Sequence, residues 1–205
     1  MLVAGQGSAA HPYPLTDEAL RGPDCARNLA DAVHLLCMLH GRYPGVIDHA
    51  ANRSVEPPLR AWFHLATAAF SAERALLARL AVAGGPIPST PGAADNQAAV
   101  LAQRHALEML ACSERNGCAL GAALALALDW ASIRPLLELA AARFGIACEP
   151  YALAAAEIAA VSEAAAASSP ALERAMLFGA EQVAVQHFGL WDLLEARQQA
   201  RAAGG

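Results

Sequence analysis

Three ionisable residues fall where a helix turns its apolar side inward, and buried ionisable groups are where proton transfer, metal ligation and ion pairing take place. At 100° per residue Leu59, Phe63, Ala66, Phe70, Leu77 and Leu80 share one stripe, and Glu73 lies within it. A carboxylate there must be paired, protonated or coordinated, because burying it bare costs several kcal/mol. His40 continues the stripe Leu29, Val33 and Leu36, and His187 borders Val183, Leu190, Trp191 and Leu194. Neutral imidazole is the commonest metal ligand. Glu73, His40 and His187 therefore predict one of two chemistries: core histidines beside a buried ion pair, or a transition-metal or haem site built by all three.

The remaining ionisable residues sort by the same angles. The helix after Glu73 is expected to run antiparallel to it, which sets Gln103 and Arg104 opposite Glu73 and predicts an ion pair there. Glu114 falls on the apolar face of that helix with Leu107, Leu110, Cys118, Gly121 and Ala125, and is a second candidate core carboxylate. It stands ~15 Å along the axis from the level of Glu73, against the ~4 Å between paired metals, so these two carboxylates flank no di-metal centre. His105, Glu108, Arg104 and Arg115 group on the opposite side, as an exposed cluster with an Arg104 to Glu108 pair; Arg27, Asp31 and His34 read the same way. Gly5-Gln-Gly7-Ser-Ala-Ala10 satisfies G-x-G-x-x-A, but no strand precedes it and Pro12 and Pro14 follow, so it is not a dinucleotide loop. There is no G-x-S-x-G, H-E-x-x-H or EF-hand loop.

The elements that position these residues are helices. The 205 residues are 56% hydrophobic, 5% aromatic and 16% charged, so the apolar mass is alanine and leucine. An N-terminal arm over 1–15 precedes a helical turn opening at Thr16-Asp17-Glu18. Gly22-Pro23 breaks the chain, and Asp24 caps a helix to His40. A short helix over 46–52 and a long one over 58–82 follow. Asp95 caps a third long helix, running to Asp129, and Pro135 opens a fourth that Gly145 ends. A fifth covers 151–167 with few large apolar groups, and Ser169-Pro170 starts the last, to about 200. The expectation is an all-α, antiparallel helical bundle of four to six helices, ferritin-like in architecture at most, with 16–205 as its single domain.

Composition closes several routes. All 14 basic residues are arginine, which excludes a Schiff-base lysine, a P-loop lysine and the kinase strand lysine. The net charge of −5 and the scatter of the arginines argue against nucleic acid. Five cysteines without a Cys-x-x-Cys pair read as buried, reduced thiols. The first ten residues lack a basic region and an apolar core, and the run 118–128 is too short to cross a bilayer, so a cytoplasmic protein without membrane attachment is expected.

The strings NGCALGAALALALDWASIR (116–134) and GLWDLLEARQQAR (189–201) resemble an uncharacterised family of short, alanine-rich helical bacterial proteins, alphaproteobacterial, with no assigned activity. The resemblance implies no function. Against the ferritin-like di-metal proteins the chain lacks Glu-x-x-His, the nearest strings being Asp31-x-x-His34 and the reversed His105-x-x-Glu108.

The leading expectation is a non-catalytic binding or interaction protein with no cofactor, self-associating as a homodimer. Gly117, Gly121 and neighbouring alanines admit a close helix. The last helix carries apolar residues on two sides, Leu172, Val183 and Leu190 and again Phe178, Val185 and Phe188. A protein partner or a small apolar ligand fits the same surface. The alternative is a metal- or haem-dependent oxidoreductase built on Glu73, His40 and His187. The reading leans away from an enzyme.

Overall fold

A computed structural model describes residues 5–16, 20–54 and 56–204, and among these the chain is all-helical with no strand. The helices are α1 (Cys25–His40), α2 (Val46–Arg53), α3 (Pro57–Ala83), α4 (Ala93–Ala111), α5 (Cys118–Phe144), α6 (Ala155–Ala166) and α7 (Pro170–Gly204), preceded by single 3-10 turns at Ser8–Ala10 and Tyr13–Leu15. Asp17 and Glu18, where a helical turn was expected, lie outside the described residues, as do the first four residues of the arm.

Among the described residues there are seven α-helices, more than the four to six expected of the bundle, and two helix boundaries differ from the expected ones. The expected third helix, 95–129, is broken at Cys112–Gly117, where Gly117 adopts φ +95°, a conformation open to glycine and strained for side chains. Ser113, Asn116 and Gly117 are turn formers that outweigh the alanine and leucine around them, and the chain folds back on itself there. The expected start at Pro135 does not occur, and α5 runs through it. Pro135 leaves the carbonyl of Ala131 without its helical donor, and both residues face solvent, so water can fill the vacancy.

The 27-residue α5 carries seven consecutive buried residues, Gly121 to Ala127, and a helix apolar all round belongs at the centre. By length and hydropathy it could cross a membrane, but 72% of that window is buried within the bundle, as in a core helix. α7 packs along it most extensively, and α1, α2, α3, α4 and α6 complete the ring. A Cβ on Gly121 would stand 2.0 Å from the Met176 carbonyl oxygen and one on Gly179 2.1 Å from that of Cys118. The close helix that Gly117 and Gly121 were expected to admit is thus α7 of the same chain.

The bundle is not uniformly antiparallel. Gly121 meets Met176 and, further on, Asp129 meets His187, so α5 and α7 run in the same direction. Glu73 meets Arg134 and Gly84 meets Phe144, so α3 runs with them. α1 runs opposite to α7, with Asp31 on Arg197 and His40 on His187. α4 packs mainly on α1, α2, α5 and α7 rather than on α3. The α3 to α4 register that placed Arg104 opposite Glu73 therefore has no counterpart in the fold.

Other side-chain expectations shift for the same reason. Glu114 is exposed in the turn after α4, and Cys112 is exposed rather than buried. All five cysteines are free thiols. Asp31, expected at the surface, is 1% exposed and pairs with Arg197 at 2.7 Å and with Arg201. Arg104 does pair with Glu108, at 3.5 Å. The alanine-rich α6 buries only Ile158 and Ala165 and is thinly packed as expected.

Candidate functional site

Two polar clusters diverge from adjacent residues of α5. At Trp130 the indole Nε1 donates to Glu73 Oε2 at 2.9 Å, and the Arg134 guanidinium, one turn on, donates to Glu73 Oε1 at 2.6 Å. Glu73 is 5% exposed and Arg134 4%. Arg134 also donates to the Glu149 carbonyl and contacts Cys148 Sγ at 2.9 Å. Burial raises the Glu73 carboxyl above its ordinary value, opposed by the Trp130 hydrogen bond and the Arg134 charge. Glu73 is thus a buried, paired carboxylate, as its stripe implies, with partners on α5 instead of Gln103 and Arg104.

Asp129 belongs to a chain of four side chains that runs from Ser8 through Asp129 and His187 to His40. Asp129 is 1% exposed and accepts from the Ser8 amide at 2.9 Å, from Ser8 Oγ at 2.5 Å and from His187 Nδ1 at 2.5 Å. His187, fully buried, sets Nε2 against His40 Nε2 at 2.8 Å. The His40 ring stands edge-on to Trp130, with centroids 5.4 Å apart, and perpendicular to the His187 ring, with centroids 5.0 Å apart.

The protonation pattern follows from the donors. Burial acts to raise the Asp129 carboxyl, but the hydrogen bond and charge of His187 with the two Ser8 donors outweigh it, and the group titrates below its ordinary value. An ionised Asp129 requires a proton on His187 Nδ1. His187, when neutral, then presents its Nε2 lone pair to His40, whose own Nε2 carries the shared proton. Nδ1 of His40 has no partner among the described residues and is the one polar ring atom it retains for a ligand. Burial, and then the neighbouring His187, hold the His40 imidazole well below its ordinary value, so it is neutral.

His40 lines a cavity of about 30 Å³ between α1, α2, α3, α4 and α5. Its walls include Leu107 and Leu126 and three arginines, Arg74, Arg104 and Arg42, the last of them 66% exposed at the rim. Arg74 is held by Asp48 at 2.9 Å and lies over the Tyr43 ring. Arg42 and Arg104 share one carboxylate, Glu108, at 3.6 and 3.5 Å. Arg104 Nε is buried and makes no hydrogen bond.

The fold thus brings His40 and His187 together and directs Glu73 to Trp130 and Arg134. Sequence reasoning missed Asp129 and Ser8. Asp129 was legible as the one carboxylate inside CALGAALALALDWASI, but reading Pro135 as a helix start made it a helix end. Ser8 carried no signal, since its role depends on where the arm lies. One further group could gather a metal, His11, Asp192 and Glu195. The Tyr13 amide donates to His11 Nδ1 at 3.1 Å, which puts the ring proton on Nε2, facing Asp192 at 3.1 Å, and leaves no lone pair there for a metal.

The model of a family of unknown function, DUF6975, matches residues 3–202. No curated protein and no solved structure matches the chain.

Proposed function

The chain belongs to DUF6975, a family of unknown function, and from its own geometry we propose a binding protein for a small molecule whose working group is the imidazole of His40. The carrying observation is the alignment Asp129 Oδ2, His187 Nδ1, His187 Nε2, His40 Nε2, with steps of 2.5 and 2.8 Å. A buried imidazole alone is a poor base, because it would have to hold a charge away from water. Here the charge need not stay on His40. A proton taken up at Nδ1 from a ligand releases the Nε2 proton to His187, and the imidazolium forms beside the Asp129 carboxylate. The ligand loses one proton and the chain gains one, so the step balances without a cofactor.

Histidine-selective NMR tests this. In the wild type the His40 ring is expected to titrate well below its ordinary value, and Asp129→Asn, which keeps an acceptor but removes the charge, is expected to move that titration to still lower pH. An unchanged titration in Asp129→Asn ends the proposal.

A metal or haem reading of Glu73, His40 and His187 draws on the same meeting of two imidazoles. Two nitrogens bonded to one tetrahedral metal at 2.0–2.1 Å sit about 3.3 Å apart. The histidine nitrogens lie closer, at hydrogen-bond distance, and Glu73 would have to leave both of its donors. Stoichiometric metal in the purified protein, lost in His187→Ala, would replace the acid-base reading with this one.

Self-association belongs to the same proposal. Phe178, Val185 and Met109 are 41%, 56% and 63% exposed; Phe178 and Met109 line a groove between α4 and α7 with Gln182 and Gln186, and Val185 follows on α7. The Arg115 guanidinium lies over Phe178, and the rest of the groove lining is uncharged, so like-charge repulsion between two facing copies is confined to that one edge, which supports a second copy of the chain as its occupant. Light scattering that finds only a ~21 kDa monomer at high concentration, the mass of one 21.2 kDa chain, removes it.

A further inference from the structure

We propose that the cavity beside His40 binds a small oxyanion that still carries a proton, of the hydrogen phosphate or bicarbonate kind, held by Arg42 and Arg104 with its O–H toward His40. The inference rests on the acid-base reading for the direction of the His40 lone pair. Three observations carry it. The cavity, about 30 Å³, has room for about two waters or one compact polyatomic ion and none for an extended ligand.

Its charge is unbalanced. Arg74 is neutralised by Asp48, whereas Arg42 and Arg104 share Glu108 alone, which leaves one positive charge in a chain whose net charge is −5. Both contacts to Glu108 are longer than good hydrogen bonds, and the Arg104 contact is made by its buried Nε, which faces the carboxylate at 3.5 Å without completing a hydrogen bond, so an oxygen ligand would find an unmet donor. Arginine presents planar paired donors that match oxyanion geometry, and Leu107 and Leu126 exclude water from one side.

The third observation selects among anions. His40 is neutral and offers an acceptor, not a donor. A fully ionised sulfate or acetate would set lone pair against lone pair there, whereas hydrogen phosphate and bicarbonate donate an O–H to Nδ1 and keep their charge for the guanidinium groups.

The test uses the full chain labelled with ¹⁵N at histidine, titrated at pH 7 and constant ionic strength with inorganic phosphate, bicarbonate, sulfate and acetate in turn. Phosphate or bicarbonate is expected to shift the His40 ring signals in a saturable way, and the one that binds more tightly identifies the ion; sulfate and acetate are expected to bind at least tenfold more weakly. Arg104→Gln and Arg42→Gln are each expected to weaken binding at least tenfold, and Arg104→Lys by less. Arg143→Gln, exposed and outside the cavity, is expected to change nothing. Equal binding of sulfate, no saturable shift with either protonated ion, or the same loss in Arg143→Gln as in Arg104→Gln overturns the inference. The two readings fail separately. Phosphate binding that persists while the histidine titration ignores Asp129→Asn sinks the relay alone, and a responsive titration without anion binding sinks the site alone.

Discussion

Trp130 and Asp129 are neighbours on α5, yet the polar clusters they anchor are built on opposite principles. The Glu73 cluster is closed: both carboxylate oxygens are met, by an indole N–H and a guanidinium, and the charges cancel in place. The Asp129 cluster is open: three donors converge on the carboxylate, and from it two imidazoles lead to a cavity, ending on an atom with no partner. A closed pair holds helices in register, whereas an open chain stores a place for a proton. The difference teaches that burial alone does not mark a functional carboxylate; what matters is whether the network ends inside itself.

The largest expected effect falls on the closed cluster. Glu73→Leu leaves the buried Arg134 charge with only the exposed Glu138 carboxylate, 3.8 Å away, and is expected to cost about 3–5 kcal/mol in urea unfolding, most of it recovered in the double variant with Arg134→Met. Glu73→Gln, which keeps a hydrogen-bonding group, is expected to cost about 1–3 kcal/mol. Equal small losses in all three would show that the pair holds nothing in register.

In the open cluster, Asp129→Ala leaves the His187 and Ser8 donors unmet and is expected to cost about 2–3 kcal/mol in the same assay. Ser8→Ala removes the hydroxyl and keeps the amide hydrogen bond, with an expected loss of about 1 kcal/mol.

A pH series separates the clusters by sign. His40 titrates well below its ordinary value of 6.5, so the folded chain binds fewer protons than the unfolded one; the stability this contributes is complete above that value and falls as pH drops through it. Glu73 works the other way. Its carboxyl is raised, so what it contributes is full below its ordinary value of 4.5 and is lost as pH rises through the higher folded value. The groups facing His40 are His187 with Asp129 behind it, and Arg42, Arg74, Arg104, Glu108 and His49 around the cavity. Urea unfolding at pH 5 and 7.5 is expected to show a steeper fall toward acid in the wild type than in His40→Gln. Parallel slopes would close the open cluster. The smallest effect on stability is expected from Val185→Glu, which should leave unfolding within about 0.5 kcal/mol while abolishing any dimer seen by light scattering.

Helical periodicity was enough to place Glu73, His40 and His187 inward, because a stripe constrains each helix by itself. It could not name their partners. Arg104 was matched to Glu73 by assuming that consecutive helices pack together, and α4 instead packs on α1, α2, α5 and α7. Asp129 was misread because Pro135 signals a helix start on its own, and only exposure at Ala131 and Pro135 lets the helix continue. Asp31 looked exposed on its own helix and is buried by Arg197 and Arg201, 166 and 170 residues away.

By itself the sequence determined that this chain is helical, that lysine chemistry is excluded, and that two histidines and a glutamate point into the core, since propensity, composition and the 3.6-residue period are local properties. Only the tertiary structure decided that the histidines meet each other, that Asp129 and Ser8 stand behind them, and that three arginines gather beside His40. Those meetings join residues 58, 121 and 147 positions apart, and they depend on how the apolar faces of α1, α5 and α7 share one core, which no single helix encodes.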